Sequence, residues 1–320
     1  MKKLHCVATA ALAAVVALAG APARADEGGV SFWLPGQFGS LAAVPTHPGW
    51  SLGTVYFHSS AGASGSKEFQ NGARIVAGLQ AQGDLLFLAP SYVFETPVLG
   101  GQAALTVIGA VGRVAVDIDA TLSGPGGGTI GGGRRDTRTG VGDLYPLGTL
   151  KWNHGVHNLM AYTMAGIPVG SYSAERLANI GTGHWSIDAG GGYTYFDKTN
   201  EFSAVLGATY NFENSDTNYR NGVDGHLDWG ASRFVTPQTQ LGLVGYFYHQ
   251  LTGDSGSGAR LGDFKARASA IGPQVGHFFK VGDATWYANL KGYYEVDATN
   301  RPQGWNVWLT LSMPLGSAPK

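Results

Sequence analysis

Three stretches of the sequence place reactive side chains at spacings that suggest chemistry. The glycine-rich run at 124–140 resembles a phosphate loop, but it lacks the Gly-Lys-Ser/Thr ending and no helical pattern follows it. His154 and His157 flank a turn, and the other histidines are scattered without metal-ligand spacing. His184 and Ser186 share a strand face, as every pair two residues apart does, which is weak evidence for a lipase-like dyad. We therefore expect no catalytic residues, no metal site and no cofactor.

The remaining chemistry lies in polar side chains that alternate with apolar ones. Charges are costly on a lipid-facing surface, so we expect these residues to face the lumen of a barrel. Carboxylates outnumber cations among them, which would disfavour small anions; alternatively, the charges pair across a narrow lumen and hold its shape. The predicted lumen-lining residues are Arg113, Asp117, Asp119, Asp188, Glu201, Asn211, Glu213, Asp228, Gln240, Asn289, Lys291 and Glu295.

The elements that must position these residues are long two-faced strands. In FSAVLGATYNF, Phe202, Leu206 and Tyr210 fall on one face, while Ser203 and Asn211 fall on the other. Such a period of two over roughly 11 to 15 residues exceeds the about five or six residues usual in soluble proteins and suits a membrane-crossing strand. Aromatic residues near the segment ends are typical of interfacial girdles. The predicted fold is all-β: a transmembrane antiparallel up-and-down β-barrel.

Short turns alternate with longer loops between the predicted strands. Following this alternation along the sequence gives about 12 strands. The alternative is 14: a break at Gly83 would divide the long segment at 73–96 and give 13 strands, and the even strand numbers of bacterial barrels would then require a recount. The predicted strands are about 50–60, 73–96, 102–120, 139–152, 156–170, 184–196, 201–213, 223–235, 239–252, 265–280, 284–296 and 304–315. Residues 122–138 are expected to form an outward-facing loop that carries Arg134, Arg135 and Arg138.

The start of the chain predicts export. A positive n-region, an apolar run and an Ala-x-Ala site at Ala23 and Ala25 are typical of a signal peptide over 1–25. The only cysteine of the sequence, Cys6, lies in the predicted signal peptide. Removing Lys2, Lys3 and Arg24 from the 21 basic residues leaves 18 against 22 acidic ones, so no basic stripe favours nucleic acid as a partner.

Residues 26–48 precede the first strand and contain an apolar, aromatic run with three prolines. Pro35, Pro45 and Pro48 exclude a long helix and a central strand. We expect this segment to fold into the lumen as a plug; the alternatives are an aromatic anchor on the periplasmic membrane surface or an unordered tail. The candidate gating residues are Phe32, Trp33, Leu34, Pro35 and Phe38. The barrel itself is predicted over 49–316, with a tail at 317–320.

Several motifs in order resemble one family. They are FWLPGQFGSLAAVP, PGWSL, LLFLAPSYVFETPVLGG at 85–101, TGVGDLYP at 139–146, GIPVGSY, GGGYTYF, ATYNFENSDTNYRNG and the closing LTLSMPL. The sequence is similar to the outer-membrane proteins associated with the meta-cleavage pathway of phenol degradation. The resemblance implies a barrel linked to the uptake of hydrophobic or aromatic compounds.

Two functions follow as expectations. The first is a channel in the bacterial outer membrane for passive uptake of small hydrophobic or aromatic compounds. The second is a structural or surface-interaction barrel that conducts nothing. The expected partners are outer-membrane lipid, the solute and the barrel-assembly machinery; the oligomeric state is left open.

Overall fold

Twelve antiparallel strands close into a single barrel in this computed structural model, which describes residues 31–68, 74–123, 129–259 and 265–315. Each strand pairs with its sequence neighbours, and β1 pairs with β12 to close the sheet. The strands are β1 Gly49–Glu68, β2 Arg74–Val93, β3 Gln102–Ser123, β4 Thr129–His154, β5 His157–Gly166, β6 Ser186–Phe196, β7 Asn200–Asn211, β8 Asp224–Phe234, β9 Thr239–Gln250, β10 Arg267–Val281, β11 Ala284–Thr299 and β12 Gln303–Leu315. The expected signal peptide and C-terminal tail lie outside the described residues.

The predicted all-β up-and-down barrel is confirmed, with 12 strands rather than 14. Gly83 does not divide the long upstream segment, because it pairs with Ser59 within one unbroken β1–β2 register. In the described part of the chain, no helix is long and apolar enough to span a membrane.

The outer surface of the barrel is apolar over the height of the shorter strands. Leu206 is 63% exposed and Phe247 is 54% exposed, and both lie near the middle of strands whose alternate residues are buried. Exposed Trp50, Trp185 and Trp305 lie near strand ends. A continuous band of large apolar side chains flanked by aromatics is the surface that lipid requires.

One side of the barrel is taller than the other. Strands β1 to β4 have 20 to 26 residues, whereas β5 to β12 have 10 to 16. The predicted loop at 122–138 is therefore wrong over most of its length, because β3 runs to Ser123 and β4 begins at Thr129. Lipid does not contact the barrel at this height and so does not select an apolar face. The described part of the glycine-rich run, 129–140, therefore forms a strand although its sequence lacks the alternation of a membrane strand.

The connection between β5 and β6, residues 167–185, folds over the inner face of this tall side. The Asp143 carboxylate accepts hydrogen bonds from the backbone N–H groups of Gly170 and Thr182, both at 2.8 Å. Ala178 and Ile180 pack against Val114 and Val116 of β3. Strand β5 consequently ends at Gly166, before the predicted limit of 170.

The lipid band yields a stability prediction. Leu206→Lys places a charge near the middle of the band and should lower the free energy of unfolding in lipid by about 2 to 4 kcal/mol. Gln82→Lys is the matched control, since Gln82 also points outward but lies on the tall side beyond the band. Urea unfolding in vesicles measures both variants, and equal losses would contradict the assigned band.

Candidate functional site

Residues 31–48, here called the plug, lie inside the barrel. Phe32 is 3% exposed, Trp33 is 1% exposed and Pro35 is buried, while Leu34 and Phe38 are half-buried. The plug contains no helix or strand before Pro48. Its backbone N–H and C=O groups therefore need hydrogen-bond partners other than those of a helix or a sheet.

Two oppositely charged side chains supply partners for the centre of the plug. The Asp228 carboxylate of β8 accepts hydrogen bonds from the N–H of Gly36 at 2.9 Å and from that of Phe38 at 3.0 Å. The Lys291 Nζ of β11 donates to the carbonyl oxygens of the same two residues, at 2.7 and 3.3 Å. We call this arrangement the Asp228–Lys291 clamp. It pairs each buried charge with peptide groups of opposite polarity, which is how buried charges are stabilised.

The rest of the plug is held by further polar side chains of the lumen. Leu41 N donates to Glu201 Oε1 at 3.0 Å, and Lys151 Nζ donates to the carbonyl oxygen of Val44 at 3.2 Å. Near the barrel end, Thr46 exchanges two hydrogen bonds with the side-chain amide of Gln102, at 2.8 and 2.6 Å. The plug is thus held by side chains of β3, β4, β7, β8 and β11.

Aromatic contacts fix the upper part of the plug. The Trp33 ring stacks on the His226 ring, with 3.6 Å between centroids and 13° between planes. His226 Nε2 lies 2.9 Å from Asp188 Oδ2, and both side chains are fully buried. Phe32 packs against Tyr145 and fits over Gly166, where an added Cβ would lie 2.7 Å from its ring.

Most of the sequence-predicted lumen residues face inward and are buried. Besides those already described, Gln240 donates to Tyr287 Oη at 2.7 Å, and Asn289 donates to the Val275 carbonyl oxygen at 3.2 Å. Glu295 accepts from Tyr246 Oη at 2.9 Å. The inward-facing members of the predicted set are Asp188, Glu201, Asn211, Asp228, Gln240, Asn289, Lys291 and Glu295.

The phase predicted for β3 and the end predicted for β7 are wrong. Arg113 and Asp117 point outward on the tall side, where Asp117 lies 3.4 Å from Arg135 Nε, because Val114 and Val116 occupy the inner face. Glu213 is exposed, because β7 ends at Asn211. Asp119 lies in β3, and its side chain is outside the described residues.

Sequence reasoning missed several plug partners. His226 alternates in phase with Asp224 and Asp228, so the same alternation predicts that its side chain faces the lumen. Gln102 and Lys151 lie near strand ends, where the alternation gives little signal. Their hydrogen bonds to Thr46 and Val44 depend on the path of an irregular segment.

The histidines and the serine considered as metal ligands or catalytic residues are also located by the structure. Among the described residues, no group of His, Cys, Asp or Glu side chains is arranged to hold a metal ion. His157 contacts Tyr193 Oη at 2.8 Å, and it pairs with His154 across the β4–β5 turn. Ser186 lies 3.3 Å from His184 and donates to Asn211; both residues are buried inside the barrel rather than on its lipid-facing rim.

Comparison with known proteins gives a family for this barrel. The family model described as "Putative MetA-pathway of phenol degradation" matches residues 64–311, which is most of the chain. The chain belongs to this family. Its match begins after the plug, so the arrangement of residues 31–48 is argued from the contacts of this chain itself.

This family member shares its fold with a solved structure. It is similar to an outer membrane channel from Pseudomonas putida F1, at 18% identity and a TM-score of 0.66, covering 85% of this chain and 97% of that one. A FadL homologue from Pseudomonas aeruginosa matches at 10% identity and a TM-score of 0.41, covering 83% of this chain and 90% of that one. No curated protein sequence matches the chain.

The clamp yields a prediction for this family member. Asp228→Asn removes the charge and replaces one of the two accepting oxygens by an NH2 donor, so it should weaken plug binding by about 2 kcal/mol, which corresponds to a roughly thirty-fold larger ratio of open to closed channels. Single-channel recording in planar bilayers measures the openings. Asp84→Asn is the matched control, because Asp84 bonds Tyr56 and His58 on the outer surface; equal opening in both variants would contradict a role for the clamp.

Proposed function

We propose that this protein is an outer-membrane channel for the passive uptake of small hydrophobic or aromatic compounds, with the plug as its gate. One observation carries the proposal: the lumen is filled by a chain segment held through non-covalent contacts, most of them hydrogen bonds from lumen side chains. Such a segment is able to move without unfolding the barrel, because the strand ladders do not depend on it.

The relatives support this proposal. The similar Pseudomonas putida protein is described as an outer membrane channel, and the family description names phenol degradation. We propose outer-membrane lipid and the barrel-assembly machinery as partners, and the lipid-facing band of this chain supports the first of them. We propose no catalysis and no cofactor, since diffusion down a gradient needs neither.

The barrel residues define the steps of passage. A solute enters from the side of the longer connections, which is the extracellular side in barrels of this kind. It reaches the plug above the Asp228–Lys291 clamp. Displacement of the plug frees the lumen, and re-formation of the four clamp hydrogen bonds closes it again. The direction of transport follows the concentration gradient.

Deletion of residues 28–46 tests the gate. The truncated barrel should show a several-fold higher conductance in planar bilayers than the full chain. Its current should favour cations, since Asp188, Glu201 and Asp228 would then line the lumen against Lys151 and Lys291. Unchanged conductance in a correctly folded deletion variant would remove the gating proposal.

Uptake tests the solute class. A deletion strain should take up an aromatic carbon source more slowly than its parent at limiting concentration, and the wild-type gene should restore the rate. The competing proposal is a structural barrel that conducts nothing, favoured by the fully buried His226–Asp188 pair, which crosslinks β6 and β8. Equal uptake in both strains, together with no measurable conductance of the truncated barrel, would favour that alternative.

A further inference from the structure

Five aromatic side chains form an apolar surface on the inner wall of the barrel. We call them the aromatic cluster: Phe57, Phe87, Tyr246, Tyr293 and Trp308. The ring centroids of Phe57 and Trp308 lie 4.6 Å apart, and those of Tyr246 and Tyr293 lie 5.2 Å apart. These side chains face the lumen, so contact with lipid does not account for them.

One plug side chain occupies this surface. Leu34 packs against the aromatic cluster, whereas Phe32, Trp33 and Phe38 pack on a different group that includes Met160 and Tyr162. Leu34 is therefore inserted apart from the other apolar plug residues. It lies two residues before Gly36, the first peptide held by the Asp228–Lys291 clamp.

The aromatic cluster connects with apolar side chains towards the extracellular side. Leu85 packs against the cluster and also against the group of Val114, Val116 and Ile180 on the tall side. Half-buried Leu79 and Ala81 extend that group further along β2. The facing parts of β6 to β8 carry Asp188, His226 and Asp228 instead. An apolar surface thus leads along one wall from the outer loops to Leu34.

We propose that the aromatic cluster is a binding site for an uncharged aromatic or aliphatic solute, and that Leu34 is its built-in occupant, displaced when the solute binds. The inference rests on the proposed uptake function and assigns the place of recognition. Apolar walls with few polar groups are the usual lining of small-molecule sites. A charged solute would lose its hydration here without a free partner, since Lys291 is already bonded to two plug carbonyl oxygens.

Competition between Leu34 and the solute sets the apparent affinity. The solute binds only while Leu34 is away, so the measured affinity is reduced by the fraction of time for which the site is empty. Shortening this side chain should remove most of the competition. Leu34→Ala is expected to tighten solute binding about ten-fold, the scale set by burial of a leucine side chain.

Nitrobenzene is a suitable probe, because it is uncharged, aromatic and quenches tryptophan fluorescence. Titration of the full-length protein in detergent should give a saturable component that Trp308→Phe abolishes, and 4-nitrobenzoate should give none. Leu34→Ala should bind about ten-fold more tightly than wild type. Phe32→Ala is the comparison variant: it truncates the same plug against Tyr145 without vacating the aromatic cluster, so it should tighten binding far less than Leu34→Ala does.

Two results would overturn the assignment. One is an unchanged affinity in Leu34→Ala; the other is equal tightening in Phe32→Ala, which would show that general loosening of the plug is responsible. Either result leaves the uptake function standing if cells still take up the aromatic carbon source. Loss of the uptake difference between the deletion strain and its parent would instead remove the proposed function.

Discussion

An irregular chain segment inside a closed barrel has no neighbouring strand to form hydrogen bonds with its peptide groups. This constraint determines which polar side chains the lumen must contain. Each unpaired N–H or C=O group away from water costs about 1 to 3 kcal/mol. The Asp228–Lys291 clamp meets the need at Gly36 and Phe38, and Glu201, Lys151 and Gln102 meet it further down. The buried charges of Asp228, Lys291 and Glu201 are in turn stabilised by the peptide groups of the plug. The plug and these charged side chains therefore depend on each other.

The lumen has two walls of different character. Its polar wall, centred on β6 to β8, holds the backbone of the plug and fixes where it lies. Its apolar wall, formed largely by β1, β2 and β12, touches the plug through Leu34. Position and recognition are therefore adjacent within one short segment. Leu34 contacts the surface proposed for the solute, and Gly36, two residues further on, is held by Lys291 and also accepts a hydrogen bond from Tyr293 of the aromatic cluster.

The sequence predicted the barrel wherever lipid enforces alternation. Along β7 and β8 a charge on the wrong face would meet hydrocarbon, so the inward positions of Glu201 and Asp228 follow from their phase. The same logic failed at Arg113, because β3 rises above the lipid there and its outer face meets no hydrocarbon. The clamp was beyond sequence reasoning: Gly36 lies 192 residues from Asp228 and 255 from Lys291, and only the closed fold brings them together.

The closing of the sheet between β1 and β12 has a consequence for the order of assembly. The plug is joined directly to β1, and its charged partners lie on β4, β7, β8 and β11, all of which precede the last strand. An open sheet of eleven strands would already present the complete set of hydrogen-bonding groups to the N-terminal segment. Sealing the seam would then trap a segment that is already docked, so that the channel is shut from the moment it becomes a barrel.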